Sequence, residues 1–309
     1  LAGDIFIAQS DAAMMVTSAV ATGAVTISSD DGQLDVTVIQ SGGDVTLTTT
    51  GIDATAAGPS DIGLAESSVI ASGTATITSV GDISGDLGLE GGDVVAETVI
   101  LESNGDLGIS VSAETDRLTA TALGSTATTL EIVQVNDSPV FIGGGVNPTN
   151  LSSAGSISFE SSRTTPDADG LLGNDIIVLD TPSYDAPPTG AGTLEYSTEG
   201  ELVYAVTTSS LTSDGNLADA LTSAAESPNA GTGATRVAFG TNIRSAIQLT
   251  STVDLDAGIS LDGRQRINTN TGGYTIGRPV DIDGSRLTAG DRYGFDITDP
   301  AGGPSIDDT

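Results

Sequence analysis

The sequence predicts an all-β protein of the β-solenoid class, and three observations carry that expectation. Short segments in which apolar residues alternate with Thr or Ser fill the first half of the chain, glycine-led versions of them recur about 20 residues apart, and aromatic residues make up only 3% of the 309 positions. Alternation gives half-buried strands with their apolar side chains on one face. Recurrence at a fixed spacing is the mark of stacked structural units. With so few rings, buried area must come from Ala, Val, Ile and Leu, which suit thin, stacked layers. Tandem β-sandwiches are the alternative, because they also place turns at short, regular intervals.

Residues 1–146 carry the repeats. Gly3-Asp-Ile-Phe-Ile, Gly23-Ala-Val-Thr-Ile and Gly43-Asp-Val-Thr-Leu start 20 residues apart, as do Gly85-Asp-Leu-Gly-Leu and Gly105-Asp-Leu-Gly-Ile. One such period is one rung of two or three short strands with tight turns. The Gly marks a corner that needs positive φ or close backbone approach, and the Asp beside it bonds turn amides. The apolar pair that follows points inward. Gly73 falls off the register, so loops of variable length interrupt the rungs.

Composition shifts in residues 147–207. Six of the eleven prolines lie between Pro148 and Pro228, and Pro187-Pro188 and Gly190-Ala-Gly192 punctuate the stretch. It reads as a connector or small β domain with strand-like pieces at Ile176–Leu179 and Leu202–Val206. In residues 208–309 the helical spacing of Leu217, Ala220, Leu221 and Ala224 predicts a helix over Asn216–Glu226, with Asp214 or Asn216 as its N-cap. Strands follow, and a second β-helix begins there.

Charge and missing residue types prune the functions. Forty-two acidic residues face nine basic ones, all of them Arg, for a net charge of -33. Such a chain repels nucleic acid and anionic lipid, so neither is an expected partner. The apolar run Ala12–Ile27 is broken by Thr17, Ser18, Thr22 and Gly23 and is shorter than a membrane span. There is no His, Cys or Trp, hence no imidazole base, thiolate, disulfide or ordinary zinc site. A hydrophobic content of 38% and a mean hydropathy of +0.10 argue for a folded chain.

The run Asp106-Leu-Gly-Ile-Ser-Val-Ser-Ala-Glu-Thr-Asp-Arg-Leu-Thr-Ala-Thr-Ala, with Leu130-Glu-Ile-Val-Gln-Val-Asn-Asp-Ser, resembles the rungs of giant bacterial β-strand-repeat exoproteins of the filamentous-haemagglutinin type. Val135-Asn-Asp-Ser-Pro-Val140 is similar to the junctions of cadherin-like repeats in such proteins. Further on, Leu217-Ala-Asp-Ala-Leu-Thr-Ser-Ala-Ala-Glu, Thr235-Arg-Val-Ala-Phe and Ile259-Ser-Leu-Asp-Gly look like the opening of a right-handed parallel β-helix behind a capping helix. Asp219 stands where that pattern usually carries a basic residue. The resemblance implies an extracellular, cell-surface location. It implies a non-enzymatic structural or adhesive role of adhesin, filament or surface-layer type, working through a rigid scaffold that self-associates into fibres or arrays.

Two other readings come from the carboxylates. A β-helical polysaccharide lyase or hydrolase would need paired acids and, for a lyase, an Arg base. Asp254, Asp256, Asp262, Arg264 and Arg266 are the candidates. A calcium- or carbohydrate-binding module is the third. Asp167-Ala-Asp169-Gly followed by Asp175 has alternating acids able to converge on a hard cation, so Asp167, Asp169 and Asp175 are the candidate metal ligands and calcium the candidate cofactor. Asp281 and Asp283 alternate likewise. Aromatic residues are too sparse for a sugar-stacking platform, although Tyr184, Tyr196 and Tyr204 fall within one region. The solvated-turn reading of all these acids stands beside the functional one.

Overall fold

The computed structural model describes residues 3–10, 12–53, 58–65, 68–87, 92–111, 117–145, 148–163, 174–184, 190, 192–208, 216–243, 247–248, 253–255, 259–268, 274–276, 282–283 and 295–297. Within them the chain is a β-solenoid. Strands β1 (Ile5–Ser10), β2 (Met14–Val16) and β3 (Ala19–Ala21) make the first rung; β4 (Val25–Asp30), β5 (Leu34–Val36) and β6 (Ile39–Ser41) make the second; β7 (Val45–Thr50) opens the third. All pair in parallel with the adjacent rung, and Ile5, Val25 and Val45 are stacked at the predicted 20-residue offset.

From the second rung up, the long strands Val25–Asp30, Val45–Thr50, Thr74–Ser79 and Thr98–Ser103 bury alternate residues. Ile27, Leu47, Ile77 and Leu101 stack in one column and are 1% exposed or less. Full burial of such a side chain is worth about 1.5–3 kcal/mol, so the column outweighs any backbone preference in fixing register. The third inward position of the long strand is a small hydroxyl residue: Ser29, Thr49, Ser79 and Ser103 are all buried. There the side chain meets the corner, not the core. Thr49 and Ser79 both donate to the Ser60 carbonyl, at 2.8 and 2.9 Å.

The glycine corners work by close approach. Gly3, Gly23, Gly43, Gly73, Gly81 and Gly105 all lack positive φ. In the first and third rungs and beyond, an Asp at the corner reaches across to the rung above; the second rung has Ala24 in its place. Asp4 accepts from the Ala24 amide at 2.9 Å, Asp44 from Thr74 at 2.8 Å, Asp61 from Asp82 at 2.9 Å, and Asp82 from Asp106 at 2.8 Å. A β-carbon on Gly23, Gly73, Gly81 or Gly105 would collide with that carboxylate. The Gly-Asp motif is therefore a clamp between successive rungs, with glycine as the socket. Positive φ does occur at the next corner, where Asp31 and Gly51 take φ of 57° and 79°.

Cross-section changes along the stack. The first rungs have three faces, with the short strands β2 and β3 on separate stacks. At Leu107–Val111 these merge, since Leu107 pairs with Ile83 of one stack and Val111 with Val94 of the other. Above that point the rungs are two-faced and wider, with Phe159, Tyr196 and Phe239 filling the core. The main sheet has 13 strands, ending in an antiparallel pair, Ile259–Ile267 with Tyr274–Ile276. At about 4.8 Å per strand it spans roughly 58 Å. The ladder includes Thr149–Ser153, Ile176–Val178, Leu202–Val206 and Thr235–Gly240, so strands of all three sequence regions share one sheet.

Stack order departs from chain order once. Strand Thr149–Ser153 lies between Arg117–Ala122 and Val140–Ile142, although it follows both in sequence. Its upper side is covered jointly by Ile142, opposite Thr149, and by Ser183, opposite Ser152.

The predicted helix is present as α1 (Leu217–Glu226), with Leu217, Ala220, Leu221 and Ala224 buried. Asn216 is the N-cap, its side-chain oxygen accepting from the Asp219 amide at 3.0 Å. Asp214 lies outside the described residues. α1 links Leu202–Val206 to Thr235–Gly240, which are neighbours in the sheet, and packs on both. No helix among the described residues is long and apolar enough to cross a membrane.

Candidate functional site

The widened upper rungs, where α1 leans on the main sheet, hold two grooves. The first, about 320 Å³, runs along α1 between Val178–Thr181 and Asp219–Ser223, with Tyr204 at its floor. The second, about 440 Å³, lies at the C-terminal end of α1 and is lined by Tyr184, Thr193, Leu194, Glu195, Glu226 and Pro228, among others.

The three tyrosines of this sequence region lie here, in unequal roles. Tyr196 is fully buried and Tyr204 is 2% exposed; their rings meet edge to face with centroids 6.4 Å apart. The Tyr204 hydroxyl donates to the Ser227 carbonyl at the end of α1, at 2.6 Å. Burial drives both phenols well above their ordinary range; both are core groups, and Tyr204 ties the end of α1 to the sheet. Tyr184 alone is half-buried and faces the second groove. Its phenol is raised first by burial and then by the nearby Glu226 carboxylate.

Electrostatics at this groove mouth are one-signed. Glu195 and Glu226 are exposed, and α1 has no basic residue in its last turn. A helix C-terminus carries partial negative charge, which adds to theirs. The groove therefore offers acceptors and one aromatic face, a combination suited to a ligand rich in hydroxyl donors. Asn229 is not free for such a ligand. Its oxygen accepts from the Thr198 and Gly231 amides, each at 3.0 Å, and its nitrogen donates to the Thr198 carbonyl at 3.0 Å.

The proposed metal ligands fare differently. Asp167 and Asp169 lie outside the described residues. Asp175 is engaged as a corner clamp, accepting from the Glu201 amide at 2.9 Å; Glu201 in turn pairs with the nearly buried Arg236. Among the described residues no group of three or more acidic side chains is placed to hold a metal ion. Of the enzyme candidates, Arg266 lies with its guanidinium carbon 5.9 Å from the centre of the Phe239 ring. Asp256 and Asp281, and the side chains of Asp254, Asp262, Asp283 and Arg264, lie outside the described part.

Sequence reasoning missed one buried acid, Asp93. It has no exposed surface, and its Oδ2 takes the Ser110 amide at 3.0 Å. Its other oxygen has no hydrogen-bond partner. Burial, more than the neighbouring Asp86 charge, raises its carboxyl to about 6. The signal available in the sequence was Gly85, whose missing side chain makes room for the Asp93 carboxylate.

No protein-family model matches this chain, and neither curated proteins nor solved structures return a match.

Proposed function

We propose that this chain is a non-enzymatic structural component of a bacterial extracellular surface protein, of adhesin, filament or surface-layer type, acting as a stiff acidic spacer. One observation carries the reading: a 13-stranded, almost wholly parallel ladder joined rung to rung by aspartate clamps. Stacked backbone bonds and apolar columns resist bending, so such a body does its work by length and rigidity. A net charge of -33 keeps rods apart at low salt and favours association when cations screen it. Negative-stain imaging of the purified chain tests this directly. Elongated particles, and bundles or arrays at raised salt, are expected. A compact monomer that cleaves uronate polymers would overturn it.

A second reading has the Tyr184 groove as support: a carbohydrate-binding face on the same rod. Glycan-array binding that is lost in Tyr184→Ala with unchanged melting would favour it, and absence of any glycan signal would remove it.

A further inference from the structure

Among the described residues nothing covers the lower side of the first rung, and β1, β2 and β3 are each the outermost strand of their stacks. Ile7 is 37% exposed, whereas Ile27, its partner one rung up, is 0% exposed. Ile5 and Met14, which also face inward, are only partly buried, whereas their partners Val25 and Leu34 are 0% exposed. An apolar end face alone says nothing of its occupant. The corner does.

At Gly23, Gly73, Gly81 and Gly105 the space a side chain would fill holds a carboxylate oxygen from the rung below, namely of Asp4, Asp44, Asp61 and Asp82. That oxygen accepts from the amide one residue beyond the glycine. Gly3 repeats the motif, with Asp4 next to it, yet no other described residue lies within 4 Å of the equivalent point. The backbone agrees. Ile5 donates its amide upward to the Ala24 carbonyl and Gly3 receives the Gly23 amide, so the alternate amides of Asp4, Phe6 and Ala8 face the open side.

We propose that the β1–β2–β3 face is a docking surface for one kind of partner: a parallel β-rung of the same 20-residue plan carrying an aspartate at its corner. That carboxylate fills the Gly3 socket and accepts from the Asp4 amide. The strand beside it takes the Phe6 and Ala8 amides, and its apolar residues cover Ile7. The inference rests on the fold and is independent of the spacer reading.

The test compares the chain with a version carrying a copy of Gly3–Thr22 inserted directly ahead of Gly3. In the lengthened chain the Asp4, Phe6 and Ala8 amides should exchange with solvent at least about tenfold more slowly, the effect of adding a hydrogen-bonded strand. Replacing the aspartate of the added copy by Ala should restore fast exchange at Asp4. Gly3→Ala should leave the melting temperature of the original chain unchanged and lower that of the lengthened one. Unchanged exchange at Phe6 and Ala8, or a Gly3→Ala substitution that is neutral in both chains, would overturn the proposal. So would self-association of the original chain through this face that survives Gly3→Ala, since a second copy would then be covering it by another route.

Discussion

Asp93 shows how much a single side chain can set the pH response of a rung. Ser110 donates to Asp93 Oδ2 from its amide, at 3.0 Å, and from its hydroxyl, at 3.1 Å; both bonds favour the ionised carboxylate, and burial outweighs them. Because the folded value, about 6, lies above the ordinary 3.8, this group's contribution to stability is complete below about pH 3.8. It is lost as pH rises through about 6. Two pH units correspond to on the order of 3 kcal/mol. Thermal melts of the chain should therefore fall between pH 5 and pH 7 by more than those of Asp93→Asn. Equal slopes for the two proteins would exclude the assignment. General charge repulsion has the same sign, so the difference between the proteins is the diagnostic.

At the scale of elements, the helix is where sequence and structure agree most closely. Its apolar spacing and the Asn216 cap were both readable, because a lone amphipathic turn of helix stands out against period-two strands. Leu221 is 2% exposed against the sheet, so Leu221→Ala should cost about 2–4 kcal/mol in denaturant melts. Asn216→Ala should cost about 1 kcal/mol. A Leu221→Ala protein as stable as the parent would mean that α1 does not hold the upper rungs together. The 20-residue rungs were legible for a similar reason: Gly, Asp and the apolar pair recur at a fixed offset. The corner glycines, expected to serve positive φ or close backbone approach, are sockets for the aspartate of another rung. That contact joins residues 20 or more positions apart, which local pattern cannot reveal. That three tyrosines share one region was legible, but their burial was not. Two rings went to the core because wider, two-faced rungs need volume that aliphatic side chains alone do not supply.

For the whole molecule, self-repulsion outweighs every other long-range electrostatic effect. With 42 acidic and 9 basic residues on one rod, raising salt from about 10 mM to about 1 M shortens the screening length from about 30 Å to about 3 Å. The melting temperature should rise with sodium chloride over that range, read by calorimetry at fixed pH. A melting temperature that falls or stays flat would show that the charges are already neutralised by bound cations. The two outcomes differ in what they mean for a spacer: the first rod associates only as salt rises, the second without needing added salt.

The exchanged order of Thr149–Ser153 and Val140–Ile142 bears on assembly in time. A chain emerging from its N-terminus can lay down rungs one after another as far as Ala122. There, what is made next is not what is stacked next. Residues 140–142 arrive first but have nothing beneath them until 149–153 has filled the gap, and the cover over 149–153 stays half-built until Ser183 arrives. Growth of the stack must therefore wait at this layer for some forty further residues, counted from Ile142 to Ser183. Pulled apart from its C-terminal end, the rod would shed everything above this layer while the rungs below it still held.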